Sequence, residues 1–226
     1  MDKVFRKEIK YIVSHEKAFH LQRHLRNLMD YDSYSGHKGY KVRSLYFDSL
    51  NNRDLYDSID GLMEKRKTRL RIYSHMDQKV KLEYKCKSGS DCKKYSLTIP
   101  RFNAMEMMDG NYNFLQKNEE PLARTLYMRL SAGGYLPKTI VDYHRIAFTY
   151  PVSNVRIAFD SNVKASFTPY GFFDEWPCLI PVMSRDRVLL EIKYNEFLPG
   201  FLKKMVSSID ITSVANSKYS QSRLLI

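Results

Sequence analysis

Three segments of alternating character carry the same tripeptide, glutamate, an apolar residue and lysine: Glu8-Ile9-Lys10, Glu83-Tyr84-Lys85 and Glu191-Ile192-Lys193. Side chains two apart in a strand share a face, so each copy sets a carboxylate beside an ammonium while its central residue faces the other way. A single such pair reads as an exposed ion pair worth well under about 1 kcal/mol. Three copies accompanied by a cationic row read differently. Lys65, Lys67, Arg69 and Arg71 fall on one face of a strand from Glu64 to Tyr73, with Arg66, Thr68, Leu70 and Ile72 on the other. The segment Val80 to Lys87 sets Lys81, Glu83, Lys85 and Lys87 against Val80, Leu82, Tyr84 and Cys86. After a turn at Ser88-Gly89-Ser90-Asp91, the return strand sets Lys94, Ser96 and Thr98 against Tyr95, Leu97 and Ile99. Like charges on neighbouring strands destabilise a sheet, so the pattern calls for an anion to neutralise it. The chemistry is anion binding, and the recurrence of charged faces predicts a shared polar lumen.

The elements that must position these faces follow from periodicity and punctuation. A strand from Val4 to Val13 leads through Ser14, an N-cap, into a helix with the apolar stripe Ala18, Leu21, Leu25, Leu28 and Met29. A strand from Lys41 to Asp48 carries Arg43, and the polar stretch Ser49 to Gly61 reads as a connection. Asn103 and Glu106 have capping-box spacing at the head of a short helix, and a second helix around Leu122 to Leu130 stops at Gly133-Gly134. Strands then follow at Lys138 to Tyr150, Val155 to Asp160 and Arg187 to Tyr194, before a helix after Pro199-Gly200. No linker interrupts the 226 residues, so one domain spanning 1–226 is expected.

Composition narrows the partners. Lysine and arginine number 37 against 25 acidic residues, net +12, and the pI is near 9.5. That balance favours nucleotides, nucleic acid, polyphosphate or an acidic membrane surface. The odd cysteine count, Cys86, Cys92 and Cys178, with no zinc-type spacing and no apolar signal core at the start, points to reduced thiols in a soluble, cytoplasmic protein. His20 and His24 lie one helical turn apart but lack a neighbouring glutamate, and read as decoration of a solvated face.

The order Glu8-x-Lys10-Tyr11, Arg43-Ser44-x-Tyr46-Phe47-Asp48, Lys67-x-Arg69-x-Arg71-x-Tyr73, Glu83-x-Lys85, Tyr143-x-Arg145, Arg156 through Asp160, Glu191-x-Lys193 and Ser217-Lys218-Tyr219 resembles the VTC domain. That domain is the polyphosphate polymerase of the vacuolar transporter chaperone complex, within the CYTH or triphosphate tunnel metalloenzyme superfamily. The resemblance implies an α+β fold: a closed antiparallel β-barrel tunnel with helices packed outside, whose interior binds a nucleoside triphosphate and a divalent metal. It places Arg69, Arg71, Lys85, Arg145 and Lys218 as catalytic cations around the phosphates. Lys10, Arg43, Lys94, Tyr143, Arg156 and Lys193 are implied as substrate-binding residues and Glu191 as the carboxylate for Mn2+ or Mg2+. Arginine forks phosphate through two parallel bonds, and lysine acts as a mobile point charge.

The implied reaction is transfer of the ATP γ-phosphate to inorganic polyphosphate. Hydrolytic relatives typically begin Glu-x-Glu-x-Lys, whereas this chain has Arg6-x-Glu8-x-Lys10, which favours polymerase over tri- or polyphosphatase. Glu83 reads as the partner of Lys85 or Arg71 rather than a metal ligand. The rival from another class is a non-catalytic binder of polyphosphate or nucleic acid, with basic strands and interleaved aromatics turned outward. Aliphatic residues alternate with the cations as often as aromatic ones do, so no specific nucleic acid is expected. The basic exterior leaves room for a membrane-protein partner and a peripheral membrane position.

Overall fold

The computed structural model describes residues 6–89, 91–166, 168–207 and 217–224, with only the backbone of Arg6. Val4 and Phe5 of the expected first strand, and Ser90 of the expected turn, lie outside the described residues. In chain order the elements are β1 (Arg6–Ser14), α1 (His15–Leu25), β2 (Asp30–Tyr31), β3 (Tyr40–Asp48), α2 (Arg53–Ile59), β4 (Glu64–Ile72), β5 (Lys79–Ser88), β6 (Asp91–Pro100), α3 (Arg101–Met108), α4 (Asn113–Gln116), α5 (Pro121–Ala132), β7 (Leu136–Tyr150), β8 (Val155–Ala165), β9 (Ile180–Pro181), β10 (Arg187–Asn195), α6 (Gly200–Ser207) and α7 (Lys218–Leu224). Among the described residues no helix is long and apolar enough to cross a membrane. The chain divides into two compact units, Met1–Lys41 with Tyr143–Val163 and Met183–Asn216, and Val42–Asp142 with Lys164–Val182 and Ser217–Ile226.

In the first unit β1 and β8 flank β10, both antiparallel to it. Ile9, Tyr11 and Val13 share a face with Ile192, Leu190 and Val188, and this face packs with Phe159 and Ile157 of β8 into an apolar core. Helix α1 covers it with Ala18, Leu21 and Leu25, and α6 adds Leu202 and Val206. The Ser14 hydroxyl caps α1 as the sequence indicates, accepting from the Lys17 amide at 3.2 Å. Each large apolar side chain buried here stabilises by about 1.5–3 kcal/mol, so a slip of one residue, which would exchange the two faces, is strongly disfavoured. Register is thereby set, and the charges go to the other face.

The second unit follows the same rule. Strands β3, β4, β5 and β6 pair antiparallel in sequence order. Leu45, Phe47, Leu70, Ile72, Val80, Leu82, Tyr84 and Ile99 turn toward α3, α4 and α5, whose Ala104, Met107, Leu115, Leu126 and Leu130 complete the core. Within its own unit, β1 pairs only with β10 and β6 only with β5 among the described residues, so each unit is an open antiparallel sheet with helices on its apolar face.

Two local expectations are corrected. The stretch Ser49 to Gly61 is not a plain connection, because it contains α2. That helix has no side-chain cap of its own; the carboxylate of Asp48, at the end of β3, accepts the Asp54 and Leu55 amides at 2.9 and 3.0 Å. Asn103 and Glu106 form no capping box, since α3 already starts at Arg101 after Pro100, and Glu106 accepts from the Asn111 side chain instead.

Gly39 precedes β3 at φ +70, and a Cβ there would lie 2.5 Å from the Arg145 carbonyl and 2.6 Å from the His144 ring. Both the left-handed backbone and the close approach require glycine. Gly39→Ala is expected to cost about 2 kcal/mol or more, read as a lower urea midpoint at unchanged slope.

Candidate functional site

The polar face of the second unit is built by cross-strand register. Lys67 stands opposite Lys85, which stands opposite Lys94; Arg69 stands opposite Glu83, and Arg71 opposite Lys81. Among the described residues of β4, β5 and β6, Glu83 is the only carboxylate on this face. It is buried, and its oxygens bind Arg69 Nε at 2.8 Å, Lys94 Nζ at 2.5 Å and Arg71 Nη1 at 3.5 Å. Burial alone would push the Glu83 carboxyl up, but the charges of Arg69, Arg71 and Lys94 outweigh it and hold the group far below the usual carboxylate range. Burial also draws the Lys94 ammonium down from its ordinary value, against the pull of Glu83.

Further groups fix this wall from the side. Arg69 Nη1 donates to the Tyr46 hydroxyl at 2.7 Å, and the Tyr46 ring stacks on Tyr219 of α7 at 5.0 Å. The Tyr219 hydroxyl donates to Asp48 at 2.5 Å. Lys67 Nζ donates to the Ser217 hydroxyl at 2.6 Å, and the same oxygen accepts the Ser220 amide, which makes Ser217 the cap of α7. Lys218, the first residue of that helix, is half-buried.

The first unit arranges its charges in balanced pairs. Because β1 and β10 run antiparallel, their two Glu-x-Lys tripeptides meet head to tail: Glu8 faces Lys193, and Lys10 faces Glu191. Lys193 Nζ lies 2.5 Å from Glu191 and 3.9 Å from Glu8, and Lys10 lies 3.1 Å from Glu8. Burial lowers the Lys193 ammonium from its ordinary value while Glu191 and Glu8 pull it back up. Arg145 is forked by Asp160 at 2.6 and 2.7 Å, lies 3.5 Å from Glu191, and sits over the Tyr143 ring at 5.2 Å. Burial opposes its charge, yet Asp160 holds its proton more firmly than usual. Arg156, opposite Lys193, binds Asp32 and the Tyr40 hydroxyl.

The expected residues thus fall into two groups, each assembled within one unit: Arg69, Arg71, Lys85 and Lys94, with Lys218 on the adjoining helix, and Lys10, Tyr143, Arg145, Arg156, Glu191 and Lys193. Arg43 joins neither and is corrected. It stands opposite Ile72, on the face of β3 shared with Leu45 and Phe47, whereas Ser44 and Tyr46 face Arg71 and Arg69. Its buried guanidinium is taken up by Asp142 at 2.9 Å and by the carbonyls of Phe172 at 3.0 Å and Asp174 at 2.5 Å. It is a clamp for that loop. Glu83 does hold Arg71, as expected, and in addition Arg69 and Lys94. Sequence reasoning passed over Asp160 and Tyr46 as functional, although both stand inside quoted motifs; neighbours in phase with Arg156 and Arg69 were the available signal.

Among the described residues no cluster of three His, Cys, Asp or Glu side chains could hold a metal unaided. A hard cation beside phosphate typically takes one or two carboxylates and fills its shell with phosphate oxygens and water; Glu191, the expected carboxylate, is engaged here by Lys193 at 2.5 Å and lies 3.5 Å from Arg145.

The VTC domain model matches residues 5–226. No curated protein matches the sequence. Among solved structures, the chain is similar to HpAC1 from Hippeastrum, a candidate adenylyl cyclase with a dominant triphosphatase activity: TM-score 0.58, 15% identity, covering 96% of this chain and 94% of that one. It is also similar to a candidate adenylate cyclase from Bacillus halodurans: TM-score 0.52, 12% identity, covering 94% and 95%. At such identities the likeness is one of fold.

Glu83→Gln is expected to cost about 2–4 kcal/mol at pH 7, because three cations lose their shared counter-charge. The folded carboxyl titrates below its unfolded value, so this stabilisation is complete above about pH 4.5 and fades as pH falls further. Urea unfolding at pH 7 and pH 3 should show the gap between variant and parent shrinking at the lower pH.

Proposed function

The chain belongs to the VTC domain family, within the triphosphate tunnel superfamily, and on that premise we propose that it is a metal-dependent phosphotransferase moving the γ-phosphate of ATP onto inorganic polyphosphate. The proposal takes residues 1–226 as one domain whose antiparallel sheet closes into a tunnel. The observation that supports it most is the wall around Glu83, where arginines are held in fixed orientation by a carboxylate and a tyrosine before any ligand arrives. Phosphoryl transfer asks a protein chiefly for positioning and for neutralisation of charge on the phosphate oxygens. The end of a phosphate chain is already ionised, so no general base is needed. In this reading Arg69, Arg71, Lys85, Arg145 and Lys218 stabilise the transferring group, and Lys10, Lys94, Tyr143, Arg156 and Lys193 bind the chain. Glu191 would hold Mn2+ or Mg2+, which supplies Lewis-acid neutralisation of the phosphate oxygens.

A second reading, hydrolysis of a triphosphate, is favoured by the fold shared with HpAC1, whose dominant activity is that of a triphosphatase. One assay separates them. Purified protein with ATP and Mn2+ should yield ADP and an acid-labile phosphate polymer, and Arg69→Ala with Arg71→Ala should slow this by at least about 100-fold. Orthophosphate in place of polymer would transfer the assignment to hydrolysis. Neither product at any metal concentration would remove both.

A further inference from the structure

Helix α7 has seven residues, too few to hold a helical place by its own hydrogen bonds, so side-chain anchors must fix it. Two of them flank Lys218. On one side the Ser217 hydroxyl accepts from Lys67 Nζ of β4 at 2.6 Å, and on the other the Tyr219 hydroxyl donates to Asp48 Oδ2 of β3 at 2.5 Å. Tyr219 is 1% exposed and Asp48 0%, so the second anchor is a charge-assisted bond shielded from water. Burial, and after it the charge of Asp48, pushes the Tyr219 hydroxyl above its ordinary range, which keeps it a donor at neutral pH. Asp48 also accepts the amides of Ser49, Asp54 and Leu55 at 2.8, 2.9 and 3.0 Å, and these bonds cap α2 without help from Tyr219.

The same side chain reaches toward Arg69. The Tyr219 ring stacks on Tyr46 with centroids 5.0 Å and planes 23° apart, and the Tyr46 hydroxyl accepts from Arg69 Nη1 at 2.7 Å. A buried ring covered on its face cannot change rotamer without losing the stack, so Tyr219 holds in place the acceptor that orients Arg69. Glu83 binds Nε of the same guanidinium at 2.8 Å, and restraints at two different nitrogens define the plane of the fork. One tyrosine thus stands behind two cations that come from separate elements, Lys218 beside it on α7 and Arg69 on β4.

Given Arg69 and Lys218 as phosphate-binding cations, the reading on which this rests, we propose that Tyr219 is a positioning residue for the phosphate site: its bond to Asp48 sets the backbone that carries Lys218, and its stack on Tyr46 sets the guanidinium of Arg69. Calorimetric titration with inorganic tripolyphosphate tests it without requiring turnover. Tyr219→Leu removes both the bond and the stack, and should weaken tripolyphosphate binding by about tenfold or more. In an Arg69→Ala/Lys218→Ala background the same substitution should weaken it by less than about twofold, because the cations it positions are gone. An equal loss in both backgrounds marks a general structural role and overturns the proposal, as does no loss in the native chain. Should Tyr219→Leu fail to fold, Tyr219→Phe keeps the stack and loses only the Asp48 bond. Its effect should then vanish in the Lys218→Ala background and persist in Arg69→Ala, and an effect independent of Lys218 overturns the proposal. A native chain that binds no tripolyphosphate removes the phosphate reading and this inference with it. One that binds tripolyphosphate but turns ATP into neither product removes the proposed reaction alone, and the comparison of backgrounds still decides the role of Tyr219.

Discussion

A row of cations on one face of a sheet is tolerable only if something neutralises it, and among the described residues that face of β4, β5 and β6 carries one carboxylate. Glu83 holds Arg69, Arg71 and Lys94 together. The consequence is orientation as much as charge. Two guanidiniums anchored to a common carboxylate cannot swing independently, so their remaining donors stay fixed in space. Lys67, Lys85 and Lys94 stand opposite one another across three strands, a line of like charge beside that carboxylate. Like charge arrayed across neighbouring strands is the feature that sets this face apart from scattered surface lysines.

The first unit has the opposite ledger. Antiparallel pairing of β1 with β10 turns two identical tripeptides into a reciprocal set, each glutamate facing the other strand's lysine. Asp160 and Asp32 do the same for Arg145 and Arg156. This face is self-neutralising. The three Glu-x-Lys copies therefore do not share one role: two form their closest ion pairs internally, with one longer contact between them, and the third places its glutamate among cations from neighbouring strands.

How much of this could be read from the chain depended on whether the cause was local. Alternation in β4, β5 and β6 is strict, so both faces were legible residue by residue, and the cap at Ser14 and the stop at Gly133 were equally visible. Helix α2 was hidden because its first amides are capped by Ser49 and by Asp48 at the end of the preceding strand, rather than by Asn52 at its own start. Arg43 heads its motif one position out of phase with Ser44 and Tyr46. It directly precedes Ser44, and that single step is enough to turn it to the apolar face, where Asp142 and two loop carbonyls receive it. The pairing of β1 with β10 is non-local, and no spacing within either tripeptide encodes which strand lies opposite.

Asp48 ties these levels together. Its carboxylate starts α2, receives the Tyr219 hydroxyl, and through the Tyr219–Tyr46 stack sets the ring whose hydroxyl accepts from Arg69. Helix α2 in turn contributes Asp54, whose buried carboxylate binds Arg129 of α5. The first turn of α2 and the guanidinium of Arg69 thus lean on one buried group with no exposure of its own. A displacement of that turn must either break the Asp48 bonds to the Asp54 and Leu55 amides or carry Asp48, and with it Tyr219, along. The first course leaves buried donors unpaired, at about 1–3 kcal/mol each, so the Asp48 carboxylate holds the first turn of α2 and the Tyr219 hydroxyl to one another.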